Sequence, residues 1–190
     1  LLLISQFLNA FGVQAVLFVI LGQLTFQHNA GLITAKQLGI ANALYACLLY
    51  LPYVGFAPLA GFLNDRFPKT RWLLGGNLIA LAGVGIAALS LLGHPFWQGI
   101  GYFIVGLGAC IFSPAKYGIL PEILPTERLV KANGTIEMLP LVAILSGVMG
   151  GGAMIEKLPV WTCYCLLAVV FALGAILNFI MTKTPFKPDV

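Results

Sequence analysis

Six long stretches of this 190-residue chain carry almost no charged side chains, and each is long enough to cross a lipid bilayer. A membrane-spanning helix needs about 20 apolar residues, and the dry bilayer core forces such a segment to satisfy its own backbone as a helix. The sequence predicts an all-α membrane protein with six transmembrane helices. The expected spans are about 1–24, 38–63, 72–92, 96–120, 132–155 and 158–182, and residues 183–190 are expected to begin a cytoplasmic linker.

Composition excludes other classes of protein. Only 8% of the residues are charged and 60% are apolar, whereas about a quarter of the residues of a soluble domain are charged. Ten Lys and Arg residues spread along so apolar a chain do not form the dense basic face that nucleic acids require. No cofactor or metal site is expected, because the cysteines all lie inside apolar runs and behave there as small hydrophobes. They are Cys47, Cys110, Cys163 and Cys165.

The positions of the cations predict the topology, because cytoplasmic loops collect Lys and Arg. Eight of the ten lie after the second, fourth and sixth spans, and only Lys36 and Lys157 lie on the alternate side. Both termini are therefore expected to face the cytoplasm. The eight are Arg66, Lys69, Arg71, Lys116, Arg128, Lys131, Lys183 and Lys187.

A charged turn follows the second span, at residues 61–71. The tendency of cytoplasmic loops to collect Lys and Arg explains the cations of this turn. It does not explain the carboxylate of Asp65, which is adjacent to Arg66. The turn also begins with a glycine, which permits close approach at a helix end. The residues that we single out are Gly61, Asp65, Arg66, Lys69 and Arg71.

This turn resembles the loop between the second and third helices of the major facilitator superfamily, whose pattern is G-x-x-x-D-(R/K)-x-G-(R/K)-(R/K). Pro68 stands where the pattern prefers Gly, and Thr70 where it prefers a base. The resemblance implies one half of a facilitator fold. It also implies that Asp65 and its neighbours take part in a cytoplasmic latch between two six-helix halves.

A second group of polar residues lies near the cytoplasmic ends of the fourth and fifth spans. Lys116 follows Pro114, which is expected to loosen the helix and free a carbonyl, and we include Pro114 among the conformational residues. Glu137 lies about 1.5 turns into the fifth span, where a carboxylate normally faces a cavity or a partner. Lys116 could instead extend to the interface, and Glu137 could form a structural pair with Lys116 or Lys131.

The segments around these residues resemble bacterial lysophospholipid transporters, a branch of the same superfamily. The resemblance rests on residues 113–120, 129–134 and 6–12, with Glu137 behind them. It implies a multi-pass carrier in the bacterial inner membrane that moves lysophospholipids to the cytoplasmic leaflet. It further implies a missing C-terminal six-helix half, and an acyltransferase/acyl-carrier-protein synthetase that acts on the delivered lipid.

The substrate chemistry suggests roles for individual residues. Lys116 could hold a phosphate and Glu137 an ammonium group, while Asn133 and Tyr117 could supply neutral hydrogen bonds. The first span departs from the family, because Val13-Gln14 replaces a typical Asp-Asn pair. We hypothesise that Gln14 keeps a weak polar contact with the substrate.

Three alternatives remain open from the residues alone. One is a facilitator that carries a different small amphipathic solute, and another is an inactive half-transporter or scaffold fragment. The third is an intramembrane enzyme, which is not expected because His28 and His94 lie in short loops and no HExxH or GxSxG motif occurs. The chain is expected to be the N-terminal half of a transporter.

Overall fold

The computed structural model describes residues 1–181, and no strand occurs in that range. Six of the helices in it are long and apolar enough to cross a membrane, and the other, α5, has four residues. A 3-10 turn, Leu89–Leu92, extends α3. The helices are α1 (Leu2–Asn29), α2 (Ala35–Arg66), α3 (Lys69–Ala88), α4 (Phe96–Gly118), α5 (Leu120–Ile123), α6 (Thr126–Lys157) and α7 (Val160–Met181).

Several helices extend beyond the apolar runs because their end turns carry polar residues. The helix α2 begins at Ala35 instead of residue 38, since Thr34 and Gln37 form a reciprocal capping box there. The helix α6 begins at Thr126 instead of residue 132. The helices α3 and α4 differ from their expected spans by a few residues at one end. Residue 182 of the expected sixth span and the expected linker at 183–190 lie outside the described residues.

The six long helices divide in chain order into two sets of three, α1–α2–α3 and α4–α6–α7, and their main contacts join helices of different sets. The main contacts join α1 to α6 and α7, α4 to α2 and α3, and α3 to α7. If α1, α2 and α3 are exchanged with α4, α6 and α7 in that order, the contact between α1 and α6 corresponds to the contact between α4 and α2. The contact between α1 and α7 likewise corresponds to the contact between α4 and α3. This pattern is that of an internal 3+3 repeat, as found within one half of a major facilitator transporter.

Glycines bring the helix backbones close together at the tightest crossings. A β-carbon added to Gly83 on α3 would lie 2.7 Å from the carbonyl oxygen of Gly101 on α4. One added to Gly151 on α6 would lie 2.6 Å from the carbonyl oxygen of Ala15 on α1. Lipid offers no hydrophobic drive for helix association, so this close packing holds the bundle together.

The helices are unequally covered. The core lies where α1, α3, α4 and α7 meet, and includes Val16, Val84, Tyr102 and Phe171. By contrast, α2 buries only Pro52, Ala60 and Asn64 among its described residues. The helices α1, α2, α4 and α6 surround the cavity that contains the candidate site.

Candidate functional site

A cavity of about 380 Å³ lies between α1, α2, α4 and α6. Much of its wall is apolar, formed by residues such as Val13, Leu49, Ala109 and Ile144. Lys116 is its one charged lining residue within residues 1–181. The uncharged polar side chains of the wall are Gln6, Asn9, Gln14, Tyr50, Tyr53 and Ser113.

Lys116 lies near the C-terminal end of α4, which continues as a helix through Pro114 to Gly118. Its ammonium group lies 4.7 Å from the centroid of the Tyr117 ring, a cation–π distance. Glu137 on α6 is near enough to act electrostatically on both Lys116 and Tyr117. Within residues 1–181, however, Lys116 and Glu137 are not in direct ion-pair contact. The ammonium group therefore keeps donors for a ligand.

The other predicted binding residues are divided between the cavity and its edge. Gln14 is half-buried and lines the cavity. Tyr117 and Glu137 are exposed beside the cavity without lining it. Asn133 is exposed one turn before Glu137 on α6 and also lies outside the cavity lining.

The cavity wall on α1 contains two amides to which the sequence assigned no role. Gln6 and Asn9 are 2% and 6% exposed, and both line the cavity. Asn9 donates from Nδ2 to Oδ1 of Asn77 on α3 at 2.8 Å. Amides spaced three residues apart in an uncharged span share a helix face, and this signal could have found them.

The hydroxyl groups of the cavity lie on α2 and α4. Tyr53 Oη and Ser113 Oγ are 3.5 Å apart, at the limit of a hydrogen bond. Tyr50 lines the same wall. From the sequence, Ser113 was noted only as part of residues 113–120, which resemble the related transporters, and Tyr50 and Tyr53 were given no role. Neither serine nor tyrosine is unusual in a membrane span.

The turn between α2 and α3 contains most of the predicted conformational residues, and these residues differ in exposure and in contacts. Asp65, Arg66 and Arg71 are exposed, and the Arg66 guanidinium carbon lies 4.9 Å from the centroid of the Phe62 ring. Apart from the neighbouring backbone of α2 itself, no atom within residues 1–181 lies within 4 Å of a β-carbon added to Gly61. The close approach expected at Gly61 is therefore not made inside this bundle.

Lys69, which the sequence places in the basic turn, has a side chain that is only 4% exposed. Its Nζ lies 2.6 Å from Oε1 of Glu122 on α5, which is 11% exposed. Its methylene stem packs over Gly118, where an added β-carbon would lie 2.7 Å from Lys69 Cε. A buried cation needs a paired anion, and Glu122 supplies it. The pair ties the start of α3 to the segment after α4.

Comparison with known proteins decides the family. The sequence profile of the Major Facilitator Superfamily matches residues 2–190. The chain belongs to the major facilitator superfamily. Its six membrane-capable helices and their 3+3 packing agree with one half of a facilitator fold, so the predicted fold class is confirmed.

Curated relatives of this facilitator are named lysophospholipid transporters. It is 37% identical to such a protein from Photorhabdus laumondii and 37% identical to one from Cronobacter sakazakii, each over 95% of this chain. It is 36% identical to one from Pectobacterium carotovorum over 91% of the chain. The chain spans about two fifths of the length of these relatives, at 42%, 42% and 40%.

Proposed function

We propose that this chain is the N-terminal half of a secondary transporter that moves lysophospholipids to the cytoplasmic leaflet of the bacterial inner membrane by alternating access. The observation that carries the proposal is the cavity, which combines a largely apolar wall with the single cation Lys116. A lysophospholipid combines one acyl chain with a phosphate-bearing head. The names of the curated relatives supply the substrate class.

The headgroup assignment follows the charges around the cavity. Lys116 has donors available and binds the phosphate as a point charge. Glu137 lies on the open edge beside it and attracts an ammonium group. Tyr117 and Asn133 add neutral hydrogen bonds to the headgroup, and Gln14 adds a weak polar contact.

The uncovered face around the cavity is the surface on which we place a second six-helix half. Facilitators bind substrate between two halves near the middle of the membrane. Large apolar side chains on α2 and α6 are exposed, among them Tyr50, Val54 and Leu141. In this arrangement Gly61 and Asp65, together with Arg66 and Arg71, contact the second half as a cytoplasmic latch.

The topology and the downstream partner are part of the same proposal. Both termini face the cytoplasm, in accord with the positive-inside distribution of Lys and Arg. A lysophospholipid delivered to that side is a substrate for re-acylation, which an acyltransferase/acyl-carrier-protein synthetase performs. The chain itself acts as a carrier and catalyses no covalent step.

The test is uptake of labelled lysophosphatidylethanolamine by proteoliposomes that contain the protein. Lys116→Ala is expected to lower uptake at least tenfold, since a hydrogen bond to a charged group contributes about 1.5–3 kcal/mol. Lys116→Arg is expected to retain part of the uptake. Lys36→Ala, at an exposed position remote from the cavity, is the matched control and is expected to leave uptake unchanged.

Two outcomes would contradict the proposal. Equal uptake by the Lys116→Ala variant and the parent would remove Lys116 from the site. A parent protein that is stabilised against heat by other small amphipathic solutes, but not by lysophospholipids, would assign the carrier to a different substrate class.

A further inference from the structure

The two amides on the α1 wall of the cavity are oriented by groups outside it. Gln6 donates from Nε2 to the carbonyl oxygen of Ile136 on α6 at 2.6 Å. That carbonyl would normally accept from the backbone N–H of residue 140, but residue 140 is proline and has no N–H. Pro140 therefore frees an acceptor that holds the nitrogen end of the Gln6 amide.

The second amide is oriented from the core. Asn9 donates to Oδ1 of Asn77 on α3, and Asn77 donates from its own Nδ2 to Ser5 Oγ at 3.3 Å. Asn77 is fully buried, and an added β-carbon on Gly174 of α7 would lie 2.9 Å from its Nδ2. This packing fixes the place of the Asn77 side chain, and while its Nδ2 donates to Ser5 its Oδ1 faces Asn9, so Asn9 is held with its nitrogen toward the core.

The carbonyl oxygens of both amides consequently have no partner within residues 1–181. Gln6 Oε1 is a buried oxygen without a hydrogen bond there, and Asn9 Oδ1 accepts none. A buried acceptor without a partner is unusual in a native protein. Both residues line the cavity, and they lie three positions apart on one face of α1.

We propose that Gln6 and Asn9 form a hydrogen-bond-acceptor subsite for the donor end of the substrate headgroup. Asn77 and Ser5 act as positioning residues for Asn9. This inference rests on the proposed function, in which Lys116 holds the phosphate of the same headgroup. The ligand class is a group with N–H or O–H donors, such as the ammonium of ethanolamine or the hydroxyls of glycerol.

The chemistry of the acceptors gives the subsite its selectivity. An ethanolamine ammonium carries three N–H donors, whereas the trimethylammonium of choline carries none. Val13 on the same helix adds no charge to this wall of the cavity, so neutral amide oxygens receive the donor end. The charged groups near the subsite are Lys116 on α4 and Glu137 on α6, and neither contacts the two amides directly within residues 1–181.

The experiment compares uptake of ethanolamine, glycerol and choline lysophospholipids of one acyl chain in proteoliposomes. The parent is expected to prefer the ethanolamine and glycerol lipids over the choline lipid. Asn9→Leu removes the acceptor and is expected to reduce that preference about fivefold, the effect of one neutral hydrogen bond. Asn77→Leu, which releases the Asn9 amide, is expected to reduce it by a smaller factor.

Asn178→Leu is the matched control. Asn178 is a fully buried amide on α7 that donates to the carbonyl oxygen of Leu73, and it does not line the cavity. Its replacement is expected to lower thermal stability without changing the headgroup preference. A preference that changes equally in the Asn178→Leu and Asn77→Leu variants would overturn the positioning role.

Asn9→Asp is a second test that keeps an acceptor in place. The Asn77 amide can turn to donate to the new carboxylate and accept from the Ser5 hydroxyl. The added negative charge is expected to raise the preference for cationic ethanolamine over neutral glycerol. An Asn9→Asp variant with the parent's preference between these two lipids would also overturn the subsite.

Two further results separate this subsite from the function on which it rests. A parent that transports no lysophospholipid would overturn the proposed function, and the subsite with it. A parent that transports normally, while Asn9→Leu leaves its headgroup preference unchanged, would overturn the subsite alone.

Amide oxygens also bind Na⁺, so uptake is repeated with N-methylglucamine in place of sodium. A Na⁺ dependence that Asn9→Leu abolishes without changing the headgroup preference would assign the oxygens to an ion and overturn the proposal.

Discussion

At the scale of single residues, the cavity is distinguished by how few of its groups are ionised. Val13, Gln14 and Lys116 line it together, and Lys116 carries its only charge within residues 1–181. Val13 is 7% exposed, so its side chain lies against the wall with little contact with solvent. A carboxylate at this position would place a negative charge in a cavity that now holds only a positive one.

Val13→Asp is expected to change the ion dependence of uptake. A carboxylate in a poorly solvated site attracts cations strongly, so uptake should become dependent on Na⁺ or H⁺ and change in rate at least threefold. The measurement is uptake of lysophospholipid by proteoliposomes across imposed Na⁺ and pH gradients. Val13→Asn is the neutral control of similar size. A Val13→Asp variant that matches the parent in rate and ion dependence would show that the first helix needs no carboxylate.

At the scale of helices, the bundle depends on backbone contact between α3 and α4. Gly76 and Gly83 on α3 face Gly108 and Gly101 on α4 across this crossing. Gly85 lies on the same helix as Gly83, but within residues 1–181 no atom beyond the neighbouring backbone of α3 lies within 4 Å of a β-carbon added there. Substitution of Gly83 therefore tests helix packing, whereas the same substitution at Gly85 tests helix propensity without a new contact.

Gly83→Ala is expected to destabilise the bundle by about 1–3 kcal/mol, the typical effect of overpacking. The added methyl group would lie 2.7 Å from both the Gly101 oxygen and the Val105 nitrogen, so the helices must separate. Gly85→Ala is expected to be neutral or slightly stabilising, since alanine favours the helix. Thermal unfolding in detergent, followed by fluorescence, measures both. Equal melting temperatures for the two variants would contradict a backbone contact at Gly83.

A second prediction concerns the pair between Lys69 and Glu122. Lys69→Met leaves the Glu122 carboxylate mostly buried without its cation, and breaking such a pair costs about 3–5 kcal/mol. The double variant Lys69→Met/Glu122→Leu is expected to recover much of that loss. Arg71→Met changes an exposed cation of the same turn and is the control. Melting temperatures of the parent, Lys69→Met, Glu122→Leu and the double variant form a double-mutant cycle, and additive losses would show that the pair contributes nothing.

At the scale of the whole molecule, the proposed topology is open to a direct measurement. Lys36, Arg71, Arg128 and Lys157 are all exposed at helix ends. In a background with the four cysteines replaced by alanine, Lys36→Cys and Lys157→Cys are expected to react with an impermeant maleimide in intact spheroplasts. Arg71→Cys and Arg128→Cys should react only after permeabilisation. Labelling of Arg128→Cys in intact cells would reverse the assigned orientation.

Much of this molecule could be predicted because a bilayer restricts local structure strongly. Long uncharged runs must become helices in lipid, so the number of membrane-capable helices and the all-α class follow from hydropathy alone. The turn at residues 61–71 indicated the superfamily that the profile match confirms. Lys116 was predicted to bind the phosphate because it follows Pro114 near the end of an apolar span; it lines the cavity, and its role in binding stays a prediction.

Only the tertiary structure decided which polar groups meet. The contact between Gln6 and the carbonyl of Ile136 joins residues 130 positions apart, and that between Asn9 and Asn77 joins residues 68 apart. The sequence placed Lys69 in a basic turn without a partner, and in the packed bundle Glu122, 53 positions later, lies beside it. The sequence by itself determined the helices and their family, because these depend on local hydropathy and motif. Packing decided the cavity and the orientation of its amides, because both depend on contacts between distant helices.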